Sequence, residues 1–231
     1  MRIITLKEGD FLVNKNKEFT LLSEAVDLEG IRMSIQSFLV ITDEDYIVLD
    51  GGNGWKNDRK LVVEQLLDQE NIDRTEITKV LLSHVHKDHV DGLFLNTNSS
   101  ELTFPNAEIY IQKREFDYAL TQIGNPSFDL ETLKRLENLP NIHWMEEDKG
   151  FIAPSISYEV TGGHTPFHQV FWIKENGETI FMAPIISRSI RILNFTLPTK
   201  VISTEKKQKN CDKSGRNKPK KKIGAFSCIT I

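Results

Sequence analysis

Three histidines and a carboxylate fall within the six residues His84-Val85-His86-Lys87-Asp88-His89. Neutral imidazole nitrogen and carboxylate oxygen are the ligands of zinc and its transition-series neighbours, and a catalytic site leaves one coordination position open for water. The preceding run, Thr78 to Ser83, reads as a buried strand, and residues two apart on an extended chain point the same way. His84 and His86 therefore converge on one point. A turn into a helix near Asp88 would bring that carboxylate and His89 to the other side of the same point, ready for a second ion. The bland alternative is a solvated polar turn, but the chain has only six histidines and half of them sit in this hexapeptide. The concentration favours metal.

A second candidate segment is Gly162-Gly163-His164-Thr165-Pro166-Phe167-His168-Gln169. It follows a strand end at Thr161, and its two glycines let the backbone carry His164 close to a ligand. His164 is the third ligand expected on the first metal. His168, four residues on, could share a ligand role, although a supporting or structural role suits it better. His143, between Ile142 and Trp144, reads as a packing residue. Asp50 ends a buried strand beside a glycine turn, where it would either orient a ligand histidine or cap the turn.

These residues need a scaffold, and the patterning supplies one. Arg2 to Val13, Ile31 to Thr42 and Tyr46 to Leu49 read as strands, the last running into Asp50-Gly51-Gly52. Asp58 to Gln69 carries an apolar stripe at helical spacing. Ala107 to Gln112 is a further strand, with helices expected at Lys113–Gln122 and Asp129–Leu139. Ser157–Thr161, Gln169–Lys174 and Thr179–Met182 return to strand composition, with Glu175-Asn176-Gly177 as a hairpin turn. The loops at Phe94–Phe104 and Ile123–Asp129 are expected to line the pocket, and their composition does not name a substrate.

At 231 residues and 39% hydrophobic, the chain can bury one full-sized core or two small ones, and no stretch resembles a membrane span. The N-terminal MRIITLKEGD meets charge too early for a secretory signal, so a cytoplasmic product is expected. Only Cys211 and Cys228 occur, which gives no disulfide framework. Net charge is −4, but it is unevenly spread: from Pro184 onward there are twelve Lys plus Arg against two acids. Hydrophobic patterning lapses at the same place. The lysine run at Asn217–Lys222 offers salt-sensitive affinity for phosphate, yet it lacks interleaved aromatics and any recognisable module, so nucleic acid is not an expected partner. A small-molecule substrate is expected, and oligomeric state is not legible.

The strand ending in Leu49-Asp50-Gly51-Gly52, the run from Leu81 to Leu93 and the segment Thr161–Gln169 together resemble the metallo-β-lactamase superfamily over roughly residues 1–183. Gly162–Gln169 is similar in style to the histidine loop of quorum-quenching lactonases. The resemblance implies an α/β fold, the four-layer αβ/βα sandwich. It places His84, His86 and His164 on one metal and Asp88 and His89 on another, with hydroxide between two Zn²⁺ ions; Mn²⁺ or Fe²⁺ would also suit the donors. Asp88 would double as the catalytic group that moves a proton. Hydrolysis of a lactone, ester, thioester, lactam or phosphodiester would be served.

The chain departs from that pattern after Ala183. The family places a bridging carboxylate after the next strand and a last histidine near the C-terminus, and neither is found: Pro184-Ile185-Ile186 follows Ala183, and no histidine follows His168. A one-base frame change explains both absences together with the charge break. Reading the last base of each codon with the first two of the next, with suitable synonymous codons, gives an aspartate directly after alanine at 183–184. The same reading over Val201–Ile231 gives a Lys- and Glu-rich helix, an apolar strand and a closing histidine. On this reading residues 1–183 are a truncated hydrolase domain and residues 184–231 an out-of-frame basic tail, expected to be largely disordered. The chain as written would then be impaired, a remnant that binds metal through its histidines or polyanions through its tail.

Overall fold

A computed structural model describes residues 1–97 and 99–182, and the backbone alone of two later strands, Thr199–Ser203 and Cys228–Thr230. The first sheet takes β1 (Arg2–Val13), β2 (Phe19–Leu21), β3 (Ile31–Ile41) and β4 (Tyr46–Leu49). A small hairpin, β5 (Lys56–Asn57) with β6 (Lys60–Leu61), leads into α1 (Val62–Gln69), and β7 (Lys79–Leu81) precedes the short helix α2 (Lys87–Val90). The sheet is completed by β8 (Glu108–Gln112) and, beyond α3 (Lys113–Leu120) and α4 (Leu130–Glu137), by β9 (Ile142–Met145). Its order is β2-β1-β3-β4-β7-β8-β9, antiparallel as far as β4 and parallel from there.

The second sheet takes β10 (Lys149–Ala153), β11 (Ile156–Val160), β12 (Gln169–Glu175) and β13 (Glu178–Met182) as an antiparallel meander. Thr199–Ser203 (β14) and Cys228–Thr230 (β15) then add in parallel. The β12–β13 connection is the two-residue turn Asn176-Gly177, both at positive φ (49° and 78°). That conformation matches the twist of the strands it joins and explains the residue choice.

The central strands are buried on both sides, successive residues point to opposite faces, and each face has its own core. Leu39, Val48, Val80, Ile109 and Ile111 point to the helical side, where Val63 and Leu67 of α1, Phe116 of α3, and Leu133 and Leu136 of α4 cover them. Phe38, Val40, Ile47, Leu49 and Leu81 point the other way and meet Ile156, Tyr158, Phe171, Ile173, Ile180 and Met182 of the second sheet. Helices, sheet and sheet are thus three of the four expected layers. Among the described residues no helix covers the outer face of the second sheet, and the expected disordered tail lies outside the described residues apart from β14 and β15. Those two strands are not predicted by the tail's lysine-rich composition.

Differences from the sequence pattern are local. The helix expected from Asp58 begins at Val62, because Lys56–Leu61 is taken up by the β5–β6 hairpin. The strands β2, β9 and β10 are short, and β10 is largely exposed, so their apolar signal is weak. No helix of the described residues is long and apolar enough to cross a membrane.

One buried acid holds the turn that follows β4. Glu8 of β1 accepts hydrogen bonds from the backbone N–H groups of Asn53 and Trp55, both at 2.6 Å. Burial pushes its carboxyl up to about 7, against the opposing pull of those two donors.

Two outcomes follow for stability. Phe171 is fully buried between the sheets, so Phe171→Ala should cost about 3–5 kcal/mol in a denaturant titration. Because the folded-state pKa of Glu8 lies above its unfolded value, its contribution is present below about pH 4.5 and is lost as pH rises through about 7. The whole swing is about 3 kcal/mol. Glu8→Gln should flatten the loss of stability between pH 5 and 7.5 relative to the parent, measured by urea unfolding across that range.

Candidate metal centre

The motif loop is fixed from below before any ligand is considered. Asp50, at the end of β4, is buried and held at a φ of 61°. Its Oδ1 accepts the backbone N–H of Ser83 at 2.7 Å, and its two oxygens lie 3.0 and 2.9 Å from Ser83 Oγ. Ser83 Oγ lies in turn 3.0 Å from His84 Nδ1. If Nδ1–H donates to the serine oxygen and the hydroxyl donates to Asp50, the lone pair of His84 is left on Nε2, facing the cluster. Asp50 Oδ2 also sits 2.9 Å from His89 Nδ1. Of the two roles weighed for Asp50, its side-chain contacts match the orienting one, since they go to Ser83 and His89.

The turn at Gly51-Gly52 passes close beneath α2. Gly51 N–H donates to the His89 carbonyl at 2.8 Å and Gly92 N–H to the Gly52 carbonyl at 3.1 Å. A Cβ on Gly92 would lie 2.2 Å from the Gly51 carbonyl oxygen, so only glycine permits this approach. From the other half of the molecule, Gly162 and Gly163 adopt positive φ (61° and 103°) and present His164. The loop is anchored by Glu115 of α3, whose Oε2 accepts the Phe167 N–H at 3.2 Å. Gln169 joins the halves. Its backbone N–H donates to the Ser83 carbonyl at 2.9 Å and its side-chain Nε2 to the Leu82 carbonyl at 2.9 Å.

Four of the other five histidines of the chain gather around His84. Ring centroids of His89, His86, His164 and His168 lie 4.0, 4.6, 4.7 and 5.2 Å from it. The sixth, His143, is a packing residue stacked on Tyr110 at 4.8 Å. Within the group, His84 Nε2 and His164 Nε2 each approach His86 Nδ1 to 3.1 Å, and the three nitrogens lie within 4.8 Å of one another. Two donors on a tetrahedral zinc are separated by about 3.3 Å. The three residues fit the ion.

Electrostatics keep the rings of His84 and His86 neutral. Burial holds His84 well below the usual imidazole range, reinforced by the neighbouring His89 and His86. Burial also lowers His86 to about 3, although Asp88 pulls the other way. A neutral imidazole keeps a lone pair for a metal, and that is the form in which burial holds His84 and His86.

Asp88 and His89 sit beside this trio, with Asp88 Oδ2 3.7 Å from His89 Nε2. Among the described residues no third ligand atom joins them in a metal-sized group. A small cavity of about 10 Å³ lies against Asp50, Asp88, His89 and the buried side chain of Gln36, whose amide oxygen and nitrogen have no hydrogen-bond partner among the described residues. This is room for one water-sized occupant. His168 is fully buried, is lowered to about 3 by burial, and likewise has no hydrogen-bond partner at either ring nitrogen among the described residues.

A larger cavity of about 270 Å³ opens on His86, Asp88 and His164. Its other walls come from the β1–β2 turn and the start of β3, with Ser127 contributed by the loop before α4. Of the two loops expected to line it, Ile123–Asp129 takes part and Phe94–Phe104 does not. The latter packs on the helical side instead, where Phe94 and Phe104 are buried core residues.

The model of the metallo-beta-lactamase superfamily matches residues 30–183. The chain belongs to that superfamily. Among solved structures it is similar to AidC, a dizinc quorum-quenching lactonase, at 23% identity and a TM-score of 0.60 over 79% of this chain and 70% of that one. It is similar also to a probable metal-dependent hydrolase from Staphylococcus aureus (18%, TM-score 0.59, 78% and 71% covered). The hydrolase AbOPH of the beta lactamase superfamily is a further neighbour (22%, TM-score 0.58, 79% and 70%). At these identities the likeness speaks for the fold. A search of curated proteins found no match.

Gln169, Glu115 and Gln36 are parts of this centre that sequence reasoning does not single out. Gln169 alone carries a signal, as a polar residue directly ahead of the apolar run Val170–Ile173. Asp50→Asn should test the relay to His84 and His89. It retains size but puts an amide N–H₂ where an acceptor is needed. Zinc affinity, read by competition with a chromophoric chelator, should fall about 10–100-fold.

Proposed function

We propose that this chain is by descent a metal-dependent hydrolase that opens ester or lactone bonds of small molecules. The observation that carries the reading is the meeting of His84, His86 and His164, from two distant loops, at metal-ligand spacing. The cavity beside them is of a size for a small substrate. The lactonase neighbours support, without settling, the choice of ester and lactone chemistry.

A divalent ion, when bound, acts as a Lewis acid and lowers the pKa of water from about 15.7 to about 7. The chain's own groups do the rest. His84, held by Ser83 and Asp50, and His86 and His164 present the ion to the cavity. Asp88, which lines that cavity, is placed to accept a proton from water and return it to the leaving oxygen. Asp88 and His89 would contribute to a second ion beside the 10 Å³ cavity.

The same reading includes the frame change after Ala183. The family match stops at residue 183, where the charge balance also breaks, and both facts support it. As written, the chain would hold the first ion and bind the second weakly, because Asp88 and His89 lack further ligands among the described residues.

Zinc content, measured by atomic spectroscopy after gel filtration, should be near one equivalent for the chain as written and two for a version with the frame restored after Ala183. Only the restored version should hydrolyse a lactone and ester panel briskly. His84→Ala or His86→Ala should abolish zinc retention in both. Two tight ions with brisk turnover in the chain as written would overturn its impairment, and no retained zinc in either version would overturn the hydrolase reading. Sequencing the gene at the Ala183 codon decides the frame directly.

A further inference from the structure

The walls of the 270 Å³ cavity have a charge pattern that the metal chemistry does not require. Three cationic side chains line it: Lys17 from the turn after β1, Arg32 from the second position of β3, and Lys87 from the start of α2. None of the ion pairs or side-chain hydrogen bonds formed among the described residues involves any of the three, whereas eight other lysines and arginines are paired with acids. Lys87 lies 5.4 Å from the ring centre of Phe19 and also feels the charge of Asp91. Asp88, beside the histidines, is the sole acid of the cavity lining.

The apolar part of the lining is equally placed. Phe19 and Met33 are half-buried, and Ile31 is 62% exposed although it stands in a strand. An exposed β-branched residue beside a cavity offers surface that a bound chain can cover. Lys17 is set by the turn itself: it holds φ at 57°, and its N–H donates to the Asn14 carbonyl at 3.0 Å. Arg32 is held by strand pairing, opposite Leu12 in the β1–β3 register. Both cations are thus fixed by backbone structure at one wall while the histidines form the other.

We infer that the cavity selects an amphiphilic substrate with an apolar chain and an anionic group, the chain lying on Phe19, Ile31 and Met33 and the anion on Lys17 and Arg32. This rests on the hydrolase reading only for the position of the scissile carbonyl, which would face His86 and His164. Unpaired cations at the mouth raise the local concentration of an anion and supply charge complementarity once it is bound. Either a carboxylate or a phosphate monoester would meet the same cations, and the two are separated by test.

Binding is measured by calorimetry on the full chain stripped of metal, so that no bound ion can hold the anion and no turnover is needed. The probes are octanoate, octyl phosphate and neutral octanamide, which share one chain length. At least one anion should bind tenfold or more tightly than octanamide, and its affinity should fall severalfold between about 50 and 500 mM salt. Preference for octanoate or for octyl phosphate identifies the headgroup.

The double variant Lys17→Gln/Arg32→Gln should remove the anion preference while leaving octanamide unchanged. Arg32→Glu, at an exposed strand position, should do most of this alone, and circular dichroism checks that each variant folds. Equal binding of octanoate, octyl phosphate and octanamide, no measurable binding of any probe, or an anion preference that survives the double variant would overturn the proposal. Because these measurements need neither zinc nor hydrolysis, a failure of the hydrolase reading would leave a different signature: anion preference intact, zinc not retained.

Discussion

The centre depends on one junction, the clamp by which Gln169 grips the motif loop. Its backbone and side-chain donors take the carbonyls of Ser83 and Leu82, and all three residues are buried. Those carbonyls lie just past the end of β7, where the ladder to β8 has run out, and buried acceptors left there would be costly. Satisfying them from β12 docks the second sheet on the first at a fixed height. His164 is five residues before Gln169 and inherits that height. Without the clamp, the nitrogens of His84 and His86 would have two-thirds of a site.

Around that junction the candidate ligands His84 and His164 and their neighbour His89 sit on groups that are themselves held. Asp50 grips Ser83 and faces His89, and Ser83 faces His84. Glu8 fixes the turn after Gly52, and Glu115 fixes Phe167 in the loop that carries His164. Placing carboxylates in a low-dielectric interior raises their affinity for protons, as seen for Glu8 and Glu115. These acids are costly as stability devices. They are intelligible as geometry devices, since each trades desolvation for a loop held in one conformation next to the histidines.

Much of this was legible in the chain, for reasons that differ by element. Strands with a continuous apolar run, such as β3 and β12, announce themselves because both of their faces are buried. The spacing of His84 and His86 is readable because period two is a property of any strand. The distance between His164 and that pair is not readable, because it is set by how two sheets pack, which no local pattern encodes. Short or exposed strands such as β2 and β10 carry too little apolar signal. The cavity lining was misread at Phe94–Phe104 because its aromatic residues look like pocket walls, while the chain uses them to fill the helical core. Asn176-Gly177 shows the opposite case, a turn whose chemistry is local and therefore visible in two letters.

The asymmetry between the two halves of the centre has a physical reading. The trio His84, His86 and His164 is brought together entirely by described residues, and imidazoles can act as donors without added negative charge. Asp88 and His89 are different, because their nearest atoms are 3.7 Å apart and no further ligand atom among the described residues joins them. A further carboxylate between the two sites would add the negative charge that a divalent ion favours. The family match ends at residue 183, the position where the sequence turns from an alternating acidic body to a basic run. The candidate centre before that position is built mainly of imidazoles, with Asp88 the carboxylate that faces the cavity.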